Sequence, residues 1–261
     1  MNEDTMSSLL LKGKKGLVVG VANADSIAWG CASAFHKHGA ELAFTYLNDK
    51  ADTFVRPLAE SLDAAIYMKL DVTIKEEQEA LFDAIKAKWG KLDFLLHSIA
   101  YAPKPDLQGR LIDSSPEGFA AAMDISCHSL MRLTRAAEPL MKEGGSILTL
   151  GFYGAEKVVT NYNLMGPVKA ALATSVKYLA TELGRKQIRV NTLSTGPVKT
   201  RAASGLTDFD KLMEEAARKA PLYQLVTLDQ IGEMASFLVS DNARQVTGQT
   251  IYVDAGYNIL G

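Results

Sequence analysis

The stretch GLVVGVANADSIAWGCASAFHKHGAELAFTY, residues 16–46, decides the fold. Its opening, GLVVGVA (16–22), is a short apolar run broken by one glycine, the pattern of a strand buried on both faces. A small polar turn follows. SIAWGCASAFHKHGA (26–40) then carries apolar residues at helical spacing, with Ser26 placed as an N-cap and Gly39 as a stop. ELAFTY (41–46) reads as a second strand. Strand, helix and strand in so short a span make one parallel crossover unit.

The alternation continues downstream. Helices are expected near 50–62, 75–90, around 116–141, from about 162 to 184, at 208–220 and at 228–240. Strands are expected at 65–72, 92–100, 146–152, 189–195 and 250–256. No repeat or low-complexity linker interrupts this order, so residues 1–261 are read as one domain. The expected fold class is α/β: a single-domain, Rossmann-like, doubly wound parallel sheet of about seven strands, with helices on both faces.

Composition narrows the function. With 48% apolar and 22% charged residues the chain has the make-up of a soluble globular protein. A formal net charge of −2 argues against a nucleic-acid surface. Two cysteines, Cys31 and Cys127, both in helix-like segments, suit buried thiols in a reduced compartment. The start, MNEDTMSSLLLKGKKG, has no apolar core of secretory length, and no run reaches the ~18 residues of a membrane span. A cytoplasmic location, with no membrane and no metal site, is expected.

In a sheet of this kind ligands sit beyond the carboxyl ends of the strands. After the first strand, Gly20 lets the backbone turn close to a ligand, and the helix start at Ser26 offers free N–H groups to a pyrophosphate. The turn does not match the G-x-G-x-x-G fingerprint. After the second strand, YLNDK (46–50) has no arginine for a 2′-phosphate, which favours NAD over NADP. Asp71, in LDV (70–72), can accept from an adenine amino group or cap the next helix. Ser98, Ile99 and Ala100 make a small-residue exit that a ring or ribose can approach closely. Gly196-Pro197 fixes a turn after the sixth strand, and Thr200 can hydrogen-bond a carboxamide.

Two Tyr/Lys pairs follow the fifth strand. An ammonium near a phenol lowers its pKa from about 10 toward a working range, and the same ammonium can hold a ribose. Tyr153 and Lys157 have the shorter spacing but lie in YGAEKVVT (153–160), which reads as a loop. Tyr162 and Lys169 lie on a segment with continuous helical periodicity, on one expected face. Pro167 is tolerated only near a helix start, which predicts that the regular helix begins near Met165 or is distorted near Asn163.

Taken together, GVANADSIAWG (20–30), AELAFTYLNDK (40–50), HSIAYAP (97–103), NYNLMGPVKAAL (161–172) and RVNTLSTGPVKTRAASG (189–205) resemble the NADH-dependent enoyl-acyl-carrier-protein reductases, a divergent branch of the short-chain dehydrogenases/reductases. The Tyr-x6-Lys spacing separates this branch from its Tyr-x3-Lys relatives. The resemblance implies that Tyr162 and Lys169 are catalytic: Tyr162 hydrogen-bonds the thioester carbonyl, and Lys169 holds the nicotinamide ribose. It implies a cofactor lining of Gly20, Ser26, Ile27, Leu47, Asp71, Val72, Ser98, Ile99, Ala100 and the 197–202 turn with Pro197, Val198 and Thr200. Tyr101, Ala102, Tyr162, Met165, Phe209 and Leu212 are then the substrate side, under a lid at 203–220. NADH is the implied cofactor, an enoyl thioester on acyl carrier protein the substrate, and a homotetramer the assembly. The alternatives are a ketone or aldehyde reductase and a non-catalytic nucleotide sensor. Three departures from the family pattern stand out: Phe152 where a second tyrosine is common, Pro167 in place of an aliphatic residue, and an acid-rich lid, GLTDFDK (205–211).

Overall fold

The structure, a computed structural model, describes residues 9–201, 203–206 and 208–260, with Ser204 described by its backbone alone. Ala202, in the expected cofactor turn, and Thr207, in the expected lid, lie outside the described residues. Seven strands form one sheet: β1 Lys15–Val19, β2 Glu41–Tyr46, β3 Ile66–Lys69, β4 Phe94–His97, β5 Gly145–Phe152, β6 Ile188–Thr195 and β7 Thr250–Val253. Their order is β3-β2-β1-β4-β5-β6-β7, and every pairing is parallel. The doubly wound reading holds. The strand order reverses between β1 and β4, which marks the ligand end of such a sheet.

Alternation along each strand supplies two cores. Leu17, Leu95 and Ile147 face one way, against helices α3 (Lys75–Trp89), α6 (Ser129–Ala137) and α7 (Met165–Leu183). Val18, Leu96 and Leu148 face the other way, against α1 (Ile27–Lys37), α2 (Asp49–Ser61) and α9 (Leu228–Val239). Both layers are closed, as fully apolar central strands require. Cys31 and Cys127 are free and buried, as expected. Burial pushes the Cys31 thiol up to about 12, which leaves it inert.

The structure departs from expectation in three ways. Several strands stop before the apolar run does: β4 ends at His97 and β3 at Lys69, although Leu70 N still donates to Tyr46 O at 2.8 Å and Val72 is buried beyond it. The long helix expected around 116–141 is interrupted. Helix α5 (Pro116–Met123) passes into a π-segment at Asp124–His128 before α6 begins. Finally, α7 starts at Met165, so Tyr162 precedes the helix instead of lying on it. Asn161 and Asn163 take positive φ of 65° and 41° just before that start. Gly166 N donates to Asn163 O at 3.1 Å, filling the carbonyl that Pro167 has no N–H to reach. The late helix start anticipated from Pro167 is what the fold shows.

Gly20 is dictated by the neighbouring strand exit. Its φ is +105°, and a Cβ there would lie 1.9 Å from Ser98 O. The expected freedom to approach a ligand is thus first a requirement for packing β1 against β4. Gly20→Ala is expected to lower stability by about 3 kcal/mol, read by denaturant unfolding. A loss below about 1 kcal/mol would show that the two exits can separate freely.

Candidate active site

The exits of β1, β4 and β5 meet beside the β1–β4 reversal, and most of the expected site residues gather there. After β5, Tyr153–Ala155 makes a single tight turn, and the chain returns through Tyr162 into α7. Tyr162 is buried, with its ring 4.7 Å from that of Phe152. Gly154 also packs against it: a Cβ there would come within 2.5 Å of Tyr162 Cδ1 and 3.3 Å of Phe152 Cδ1. The ring is therefore packed against both Phe152 and Gly154. Burial raises the pKa of the Tyr162 phenol well above its ordinary value. The expectation that a nearby ammonium would lower it is not met, because Lys169 is engaged elsewhere.

Lys169, on the first turns of α7, is buried and donates from Nζ to Leu150 O at 2.6 Å. Burial lowers its pKa to about 8, opposed by the neighbouring Cys127 sulfur. Its charge is also felt by His97, which is fully buried and pushed down to about 3 chiefly by desolvation. The His97 ring is pinned by Thr149 Oγ1 and Ser129 Oγ, each at 2.8 Å. At that pKa it is a neutral strut, with no charge to offer.

The shorter pair does not assemble. Tyr153 is buried against Tyr257, with ring centroids 5.6 Å apart, while Lys157 is exposed. Its loop placement agrees with the reading from sequence; Tyr153 is more deeply buried than expected.

The residues expected on the cofactor side lie at or near the strand exits, each with its own local setting. Ser26 occupies the N-cap position of α1 but does not cap it. Its Oγ donates to Asn23 O at 2.7 Å and accepts from Ala22 N at 3.5 Å, and Trp29 N–H is taken by Ser26 O at 3.0 Å, which leaves the N–H groups of Ile27 and Ala28 for an anion. Leu47 is half exposed at the tip of β2, and Asn48 beside it is spent as the cap of α2. Asp71 caps no helix: its Oδ1 accepts from Thr73 N and Thr73 Oγ1. Both bonds fall on one oxygen. Ser98 and Ile99 are half-buried and Ala100 is exposed. Pro197 is buried, Val198 packs on the α1/α9 face, and Thr200 Oγ1 accepts from Ala203 N at 3.1 Å.

On the substrate side, Tyr162, Met165, Leu164 and Val168 form one small apolar cluster, with Ala102, Phe152 and Leu206 packed against it. Tyr101 is half exposed at its edge of the β4 exit. Phe209 and Leu212 are half-buried on α8 (Phe209–Lys219), outside that cluster. Phe209 instead lines a hollow of about 430 Å³ with Leu206 and Lys199.

Sequence reasoning missed the residues that fix these loops. Ser126, fully buried on the π-segment, accepts from Tyr101 N at 2.8 Å and donates to Tyr101 O at 2.9 Å. Arg132, paired with Asp124, donates to Val72 O at 2.9 Å, tying the β3 exit to the same helix. Serines at buried helix positions in DISCHS were the available signal. Among the described residues no cluster of His, Cys, Asp and Glu could hold a metal ion, and no helix is long and apolar enough to cross a membrane.

This arrangement has counterparts. Residues 20–258 match the family described as enoyl-(acyl carrier protein) reductase. The enoyl-[acyl-carrier-protein] reductase [NADH] of Rickettsia felis is 51% identical over 98% of this chain and 98% of its own. The crystal structure of the Anaplasma phagocytophilum enoyl-acyl-carrier-protein reductase in complex with NAD is 48% identical, with a TM-score of 0.93 and coverage of 97% of each chain. The Bacillus cereus enoyl-acyl carrier protein reductase, solved with NADP+ and an indole naphthyridinone, is 47% identical, with a TM-score of 0.94, covering 97% of this chain and 99% of that one.

Proposed function

The chain belongs to the enoyl-(acyl carrier protein) reductase family, and from that premise we infer how it works. It is an NADH-dependent reductase that saturates the trans-2 double bond of enoyl thioesters in bacterial fatty-acid synthesis. The observation that carries this reading is 51% identity to such a reductase across 98% of both chains.

The residues at the sheet end fit a nicotinamide dinucleotide. The uncapped start of α1 suits a pyrophosphate, and Leu47 offers an apolar shelf where no arginine waits for a 2′-phosphate. The free oxygen of Asp71 suits an adenine amino group, and the O–H of Thr200 suits a carboxamide. When bound, NADH would supply the hydride for the β-carbon, and a proton from solvent would then complete the α-carbon of the resulting enolate. Tyr162 donates its phenolic proton in a hydrogen bond to the thioester oxygen, where negative charge develops as the enolate forms. Its raised pKa supports this role, because a phenol that resists ionisation keeps its donor. Lys169, buried and anchored on Leu150 O, is placed to hold the ribose hydroxyls with its remaining N–H donors. Met165, Ala102, Phe152 and Leu206 supply the apolar wall for the acyl chain.

The lid at 203–220, with α8 as its helical part, covers this wall; Phe209 and Leu212 reach the acyl chain only if it moves inward. Acyl carrier protein is the carrier we assign. Of the lid's candidate docking cations, Lys211 pairs with Asp208 at 2.9 Å and Lys219 with Glu215 at 2.5 Å, which leaves Arg218 the strongest. A cytoplasmic homotetramer is the assembly we propose.

The direct test is to follow NADH absorbance with a medium-chain trans-2-enoyl thioester. Turnover is expected. No turnover with any enoyl thioester, beside brisk reduction of a ketone, would overturn the assignment. The close packing of Gly154 on Tyr162 gives a second test. Gly154→Ala pushes a methyl into the ring and is expected to lower kcat by about 10- to 100-fold with NADH affinity unchanged. An unaltered kcat would mean that the ring is not held from that side.

A further inference from the structure

Tyr153 is left over from the chemistry, and its surroundings assign it a different task. Its ring is buried with Tyr257, Ala216 and Ala220 in a small apolar cluster. Ala216 lies on α8 and Ala220 immediately follows it, so this cluster is the seat on which the helix rests. Ala216 is the only residue of α8 that is fully buried among those described. The rest of the helix is held by half-buried Phe209, Leu212 and Met213 and by an exposed Asp210–Lys199 pair at 3.1 Å.

Two features of the seat are unfavourable in the docked state. The Tyr153 hydroxyl is buried with no hydrogen-bond partner among the described residues. A phenol in that position is shielded from bulk solvent without a protein acceptor, a cost that falls when the helix lifts and solvent reaches it. The backbone is also left-handed at residues other than glycine immediately before α8 and four residues beyond its end. Asp208 has φ +56° and Tyr223 has φ +52°. The β7 exit that receives the helix end does the same, with φ +56° at Ala255, whose carbonyl accepts from Leu222 N at 3.3 Å. Aspartate tolerates this region, but tyrosine and alanine are held there against their preference.

We propose that Tyr153 and Tyr223 are positioning residues that spring-load α8: the unpaired hydroxyl and the left-handed hinge bias the docked helix toward opening. The idea rests on the lid reading above, in that it gives α8 a reason to be only weakly seated. It predicts a helix that opens far more often than the sheet beneath it unfolds.

Native-state hydrogen exchange of the full chain, without substrate or cofactor, tests this independently of activity. In Tyr153→Phe the ring stays and the unpaired hydroxyl goes, so amides of 209–219 are expected to exchange about tenfold more slowly, ~1.4 kcal/mol. Tyr223→Gly, which relieves the left-handed strain, is expected to slow the same amides, whereas Tyr223→Ala, which keeps it, is not. Peptides from β4 and β5 should be unchanged in all three. Unaltered exchange of 209–219 in both Tyr153→Phe and Tyr223→Gly would overturn the proposal. Equal slowing across the whole chain would overturn it as well, by showing a global effect. Neither result would touch the assignment of the reaction, which the thioester assay decides separately.

Discussion

Tyr162→Phe is expected to lower kcat for enoyl-thioester reduction by about 10²–10³, the usual loss when one donor to a developing oxyanion is removed. The ring should stay where it is, because it packs against Phe152 and Gly154 and neither contact involves the hydroxyl. NADH affinity should therefore be unchanged. The raised phenol pKa adds a pH signature. If Tyr162 acts as a neutral donor, the step at saturating substrate and NADH should show no loss as pH rises through 9, where a tyrosinate mechanism would gain. A Tyr162→Phe enzyme that kept most of its kcat but bound NADH poorly would reverse the roles given to Tyr162 and Lys169.

Lys169→Met carries the second large effect, and it falls on binding. Losing an ammonium that donates to ribose hydroxyls is expected to raise the NADH Kd by about 10- to 100-fold at pH 7. The pKa of about 8 sets the sign of the pH dependence. Below pH 8 the side chain is an ammonium; above it, a weaker-donating amine. The wild-type Kd for NADH should therefore rise above pH 8, and the Lys169→Met curve should be flat. Stability runs the other way. The unfolded lysine titrates at 10.5, so between pH 8 and 10.5 the unfolded chain binds more protons than the folded one. The ligand-free protein should gain up to about 3 kcal/mol across that window, with the burial penalty fully present below it. Titrations of binding by NADH fluorescence and of stability by urea unfolding check both signs. Parallel curves for wild type and Lys169→Met would place the titrating group elsewhere.

The fold was largely legible because apolar periodicity reports burial faithfully. β2 matched its expected limits, and α3 fell within one residue of them. The errors arose where burial and pairing part company, as at Val72, which is buried beyond the end of β3. The π-segment was invisible, since one extra residue per turn leaves DISCHS looking helical. Pro167 was the most informative residue in the site region, because a missing N–H constrains where a helix can begin. What the sequence could not reveal was the aim of Lys169. Spacing put it on a face with Tyr162; the fold turns its ammonium to Leu150 O, and burial alone then sets the phenol's pKa.

Choosing Tyr162 over Tyr153 is the central claim, and a side-by-side assay tests it most directly. NADH consumption with a saturating trans-2-enoyl thioester would be measured for wild type, Tyr162→Phe and Tyr153→Phe. The expected result is a fall of about 10²–10³ for Tyr162→Phe and less than about tenfold for Tyr153→Phe. A collapse of turnover in Tyr153→Phe, with Tyr162→Phe close to wild type, would contradict it.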